Sequence, residues 1–181
     1  MTDTQKSFTE RMIGAAMLDV ATYEEVEHDK DATGQAAGVV VIVAICTAIG
    51  ALGDGGQGII GQPIGAVLTW VLWSGVTFLI GTRLLEGTAT MGEMLRTIGF
   101  AQAPGVLYLL GIVPLLGGLA GFAAGIWTMI AGVIAIRQAL DFSTGKAILT
   151  TLISMAVVMG AIFAIGLAIG IPLLAIGALA N

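Results

Sequence analysis

Residues 98–136 run for 39 positions without a charged side chain. A helix needs about 20 apolar residues to cross a hydrocarbon core about 30 Å thick, and this run holds about twice that. The stretch "PLLGG" at 114–118 divides it, which predicts two spans joined by a tight turn. Similar apolar runs lie at 36–53 and 59–82. A last run, 147–180, has 34 residues and is too long for one straight crossing. Pro172 is expected to end or kink that helix near Gly170, because proline removes a helix donor and clashes with the preceding turn.

The spans are therefore placed at about 36–53, 59–82, 94–115, 118–136 and 146–171, in a membrane domain covering 36–181. Only 10% of the residues are charged and 57% are hydrophobic, against about 25% charged in a soluble domain. Lipid, not water, has to cover most of such a surface. The fold class that follows is all-α: a polytopic integral membrane protein with five transmembrane helices and an N-terminal interfacial amphipathic helix.

Charge is unevenly placed. Residues 1–35 carry eight acids and three bases, a net −5, and the rest of the chain balances to zero. An acidic segment argues against nucleic acid, which selects basic patches, and against tight binding to anionic lipid. With five spans, all seven bases fall on one side: Lys6, Arg11 and Lys30, then Arg83 and Arg96, then Arg137 and Lys146. Lys and Arg collect in cytoplasmic segments, so the N-terminus is expected in the cytoplasm and the C-terminus outside. The polar, acidic start of the sequence does not read as a cleaved signal peptide. The lone Cys46 permits no intrachain disulfide.

Two stretches imitate nucleotide sites. Gly53, Gly55 and Gly58 stand at G-x-G-x-x-G spacing, but that fingerprint works only between a β-strand and a helix. Between two membrane spans it reads as a permissive turn. "STGKA" at 143–147 has Leu140 where a phosphate loop needs glycine.

Helix starts are better marked. Ser7 with Glu10, and Thr90 with Glu93, fit the capping box. The first predicts a helix through about Glu27, with Phe8, Met12, Ile13, Ala16, Val20, Tyr23 and Val26 on one face. That face suits the membrane interface or the protein's own spans. The second box starts the third span at about Met91. Glycines at small-xxx-small spacing predict close helix approach: Gly34 and Gly38, Gly61 and Gly65, Gly117, Gly121 and Gly125, Gly166 and Gly170. The 117–125 ridge is the expected central contact, within the chain or in a homo-oligomer.

No charged side chain falls inside the five runs, which argues against a proton-coupled pump. Polar groups there are Gln62, Thr69, Ser74, Gln102, Thr128 and Ser154. Gln102 stands beside Pro104, so the third span is expected to break there, leaving either a kink satisfied by neighbours or a polar site. His28 with Glu24, Glu25, Glu27, Asp29 and Asp31 reads as a solvated acidic face, since a zinc site brings more His or Cys. With one cysteine and one histidine on different segments, no nucleophile–base pair is in view. No enzyme activity and no cofactor or metal are expected.

The segment "MLDVATYEEVEHDKDATGQA" leading into five spans, with "LRTIGFAQAPGVLYLLGIVPLLGG" as the third, resembles the Yip family, membrane proteins named for interacting with Ypt/Rab GTPases. The likeness is to its short prokaryotic members and runs from about Phe8 to about Gly170. Gly99, Phe100 and Pro104 match the family's glycine-aromatic-proline element. Eukaryotic relatives carry an Asp-Leu-Tyr-Gly-Pro element; here "DVATYEE" keeps Asp19 and Tyr23 without the Gly-Pro. The resemblance implies a cell-membrane protein that acts through protein contacts. The function expected is a non-catalytic membrane adaptor or organiser, presenting the cytoplasmic acidic helix of its N-terminal segment, residues 1–35, to a protein partner. Asp19, Tyr23, Glu24 and Glu27 are the candidate partner-binding residues. Membrane lipids are the other expected partners. The alternatives are an accessory subunit of a larger membrane complex, or a small-solute or lipid transporter using the broken third span.

Overall fold

The structure is a computed structural model and describes residues 5–54, 61–113 and 115–179, with side chains described up to Ala168. Among the described residues, seven α-helices run in chain order: α1 Phe8–Ala16, α2 Val20–His28, α3 Ala32–Gly50, α4 Gly61–Leu84, α5 Met91–Phe100, α6 Leu116–Ala139 and α7 Thr144–Leu179. A 3-10 helix, Ala103–Ile112, continues α5. Among the described residues, five segments are long and apolar enough to cross a bilayer: Ala32–Gly50, Pro63–Leu84, Met91–Ile112, Leu116–Ala139 and Thr144–Ala168. Their outer faces are apolar and uncovered, with Leu119 and Phe122 on α6 and Phe163 on α7 about 70% exposed. Such faces are stable only in hydrocarbon.

The third span is broken, as Pro104 predicts. α5 ends at Phe100, two residues of turn follow, and Pro104 opens the 3-10 segment, where its missing donor costs nothing. Ten residues of 3-10 helix is long for that geometry. At about 2 Å per residue the segment reaches farther than an α-helix of equal length. It stays close to its neighbours because they are small there. A Cβ on Gly105 would stand 2.6 Å from Val43 of α3, and one on Gly111 would stand 3.0 Å from the Gly50 carbonyl oxygen.

α3 lies against α4, α5 and the 3-10 segment; α6 packs on the 3-10 segment and α5; α7 sits outermost, across α4 and α6. The tightest α3–α5 crossing is at Gly99, where a Cβ would come within 2.7 Å of the Ala36 Cβ. The Trp70 indole of α4 donates to the Leu95 carbonyl at 3.0 Å beside it. Some hydroxyls in the spans bond back along their own helix, Thr47 to Val43, Thr82 to Phe78 and Thr151 to Ala147, whereas those of Ser74, Thr77, Thr128 and Ser154 are buried without a partner among the described residues.

Three expectations change. The N-terminal helix does not run unbroken to Glu27: α1 stops at Ala16, Leu18 takes a left-handed φ of 62°, and Asp19 caps a separate α2. Within the chain, the glycine ridge of α6 is not the central contact. Gly117 meets Gly111, but Gly121 has nothing within 4 Å of a built Cβ and Gly125 only the Tyr108 hydroxyl at 3.8 Å. Gly65 is equally open. Finally, of the two outcomes expected at Pro172, an end or a kink, the end is ruled out: α7 continues through it to Leu179. A membrane helix tolerates the lost bond. The side chains around Gly61, Gln62, Gly170 and Pro172 lie outside the described ones, as do Gly55 and Gly58. The described start of that glycine stretch, Ala51–Asp54, is a 3-10 turn closing α3.

Candidate functional site

The acidic N-terminal segment folds as a helical hairpin fixed to one end of the bundle. Ser7 and Glu10 form the capping box that opens α1: the Glu10 carboxylate accepts from the Ser7 amide at 2.8 Å. Asp19 opens α2, accepting from the Ala21 amide at 3.3 Å and the Thr22 hydroxyl at 2.6 Å. Those bonds, the Thr22 hydroxyl foremost, and the Lys6 ammonium at 3.0 Å hold its carboxyl below the usual range. The helices cross where α1 has no side chain: a Cβ on Gly14 would collide with Thr22.

Arg11 is fully buried in the hairpin. Its Nε donates to Glu25 at 3.0 Å and its Nη1 to Gln35 of α3 at 3.1 Å. Nη2 stands 2.9 Å from Glu25 and 2.7 Å from Asp29, as an ion-pair contact and not an aligned hydrogen bond. Burial opposes the charge, yet the Asp29 and Glu25 carboxylates beside it overcome that and raise the guanidinium pKa. Removing one partner would leave a buried charge uncompensated.

Two contacts tie α2 to the spans. Arg96, at the cytoplasm-facing end of the third span in the charge reading, is almost fully buried. Its Nε donates to the Val26 carbonyl at 2.9 Å and the Glu27 carbonyl at 3.0 Å, and its Nη2 also reaches Glu27. A cation there satisfies the last carbonyls of α2 and meets the negative end of its dipole. Gln138, at the end of α6, donates to the Glu24 carboxylate at 2.7 Å. The loops close over the same end, with Thr88 bonded to Asp141 at 2.8 Å and Lys146 to the Leu85 carbonyl at 3.2 Å.

The four candidate partner residues separate. Asp19 and Glu24 are exposed. Tyr23 is buried, with its hydroxyl donating to the Ala15 carbonyl at 3.0 Å, and burial pushes its pKa up. It is part of the hairpin core and offers nothing to a partner. Glu27 is partly buried, and burial, reinforced by Glu93, Asp141 and Glu24 against a smaller opposing effect of His28, raises its carboxyl to about 7. Ile13 on α1 and Met17 at its C-terminal cap are 57% and 71% exposed, so the apolar face predicted for this segment is only partly covered by the spans. The break at Asp19 changes which way α1 faces. An Asp followed three residues later by Thr was its available sign. Among the described residues, no three His, Cys, Asp or Glu side chains are placed to share a metal ion.

The Glu27 shift gives stability a pH dependence of definite sign. Between about 4.5 and about 7 the native carboxyl keeps a proton that the unfolded chain has released, so stability falls as pH rises through that window. His28, raised by its bond to the Glu24 carbonyl and by Glu27, acts in the same direction, since stability from its charged form is lost at higher pH. Glu27→Gln is expected to raise the melting temperature at about pH 8 and to flatten its fall from about pH 5. Melts of both proteins at the two pH values check this; an unchanged slope contradicts it.

A model of the Yip1 domain family matches residues 16–166, most of the chain. No curated protein and no solved structure matches. The match begins at the end of α1 and spans α2, the acid-bearing anchor helix, through most of α7. A membrane domain of five apolar spans, with its third span broken at Pro104 and its N-terminal helices bound to Arg96, accounts for that whole range. The chain belongs to the Yip1 domain family of membrane proteins.

Proposed function

We propose that this protein is a non-catalytic membrane adaptor whose acidic hairpin, held rigidly against the spans, is a docking element for a protein with a basic surface. The observation that carries the reading is the pairing of Arg96 with the α2 carbonyls. It fixes in place a unit whose own surface carries Glu10, Asp19, Glu24 and Asp31. A tethered, ordered surface binds without the cost of ordering a free segment. Exposed Ile13 on α1 and Met17 at its C-terminal cap add the apolar contact that a charged patch alone lacks. Family membership supports a role through protein contacts.

The reading places the protein in the cell membrane with the hairpin cytoplasmic and the C-terminus outside. The bias of all seven bases toward one side supports this. Charge reversal of Glu10, Glu24 and Asp31 to Lys is expected to cut association with the co-purifying partner about tenfold or more and to weaken its salt dependence. Ile13→Ser with Met17→Ser is expected to speed dissociation instead. Partner recovery from native membranes, compared between these variants and the parent, reads both effects. Equal recovery from all three contradicts the adaptor reading.

A further inference from the structure

The spans enclose a pocket of about 520 Å³ that the adaptor reading does not use. α3, α4, the broken third span, α6 and α7 all contribute to its wall. Thr151 and Thr128 line it, roughly 10 Å and 16 Å along their helices from the charged end of the bundle. The pocket therefore lies at the depth of the hydrocarbon. Its mouth is lateral. Thr69, Met129, Leu152 and Met155 are lining residues that are also exposed, and each belongs to a span. Whatever enters comes from the bilayer.

The lining selects the chemistry. Among the described residues no Asp, Glu, Lys, Arg or His borders the pocket. A phosphate or carboxylate brought to this depth would find no countercharge, and burying it unpaired is strongly unfavourable. Polar groups are nonetheless present: the Gln102 carboxamide at the break in the third span, the Tyr108 phenol, and Thr128, whose Oγ1 is buried without a hydrogen-bond partner among the described residues. Volumes of about 300–1,000 Å³ with mostly apolar walls and a few polar groups are those of small-molecule sites. We infer that this pocket binds one uncharged lipid. One acyl chain lies along the apolar wall, and the hydroxyl or ester oxygens bond to Gln102 and Thr128. Diacylglycerol, uncharged and able to leave its second chain in the bilayer through the lateral mouth, is a bilayer lipid with that chemistry.

Gly132 makes the site testable. It lines the pocket, and a Cβ built on it meets nothing within 4 Å. A larger side chain there fills the pocket without pushing the helices apart. The full-length chain is placed in phosphatidylcholine nanodiscs containing a photoactivatable diacylglycerol, and adducts are mapped by mass spectrometry. Adducts are expected on Trp73, Met129 and Met155 and are displaced by unlabelled diacylglycerol. Gly132→Leu is expected to lower them roughly tenfold, with a melting temperature no lower than the parent's. Thr128→Val, which keeps the shape and removes the hydroxyl, is expected to lower them about threefold to tenfold. Displacement and the Thr128 variant decide the matter even if the Gly132 variant is poorly folded. Three results would overturn the inference: adducts spread over outward residues such as Phe163, adducts that excess diacylglycerol does not displace, or equal pocket labelling by a photoactivatable phosphatidate.

Discussion

Arg96→Leu is expected to release the acidic hairpin from the membrane domain while leaving the five spans folded. The guanidinium satisfies the carbonyls of Val26 and Glu27 at the end of α2. Hydrogen bonds to a charged group are worth about 1.5–3 kcal/mol each, and leucine leaves both carbonyls facing an apolar side chain. Two such losses shift the docked–undocked balance of the hairpin by about a hundredfold or more. Limited proteolysis reads this directly: cleavage between α2 and α3, near Asp29–Asp31, should accelerate by that order, and amides of α2 should exchange faster. Arg96→Lys keeps the charge without the planar fork and should fall between the two. A cleavage rate unchanged in Arg96→Leu would mean that the other contacts, Gln138 to Glu24 and Arg11 to Gln35, hold the hairpin alone.

The second large effect is a contrast between two glycines. In Gly99→Leu the new Cβ stands 2.7 Å from the Ala36 Cβ and 3.2 Å from both the Ala36 carbonyl oxygen and the Trp70 indole nitrogen. Backbone and a buried ring cannot yield as a flexible side-chain tip does, so α3 and α5 must separate and the Trp70–Leu95 bond is lost. Overpacking costs about 1–3 kcal/mol even where a core can adjust; here the loss should reach the upper end and lower the melting temperature by several degrees. Gly121→Leu meets nothing within 4 Å and gains helix propensity, about 1 kcal/mol at most. Its melting temperature should hold or rise. If Gly121→Leu proves the damaging change, the α6 ridge packs against a second copy of the chain instead of lying against lipid.

These two sites show where the sequence is readable and where it is not. Both capping boxes, Ser7 with Glu10 and Thr90 with Glu93, form as their spacing indicates, because cap geometry is local. The break of the third span follows from Pro104 for the same reason. The glycine contacts depend on what stands opposite. Gly99 lies on the amphipathic α5 and Gly121 on the uniformly apolar α6, and only placement puts Ala36 against one and open space beside the other. An all-round apolar helix carries no stripe to say which face turns inward. The split of the N-terminal helix was partly legible in Asp19, a strong cap, but nothing in the residue type marks Leu18 for a left-handed φ. Nor does a lone Arg96 near a membrane boundary announce that it will bind helix carbonyls 69 and 70 positions earlier.

In the proposed arrangement, five crossings put the two ends of the chain on opposite sides of the membrane and the hairpin on the side of Glu86 and Asp141. Single cysteines at Glu24, Glu86 and Asp141, each in a Cys46→Ser background, and a reporter fused to the C-terminus can be probed with an impermeant thiol reagent and a protease in sealed, oriented vesicles. Three cysteines reacting from one face, with the C-terminal reporter accessible only from the other, is the expected result. A C-terminal reporter accessible from the same face as Glu24 would contradict the five-span architecture.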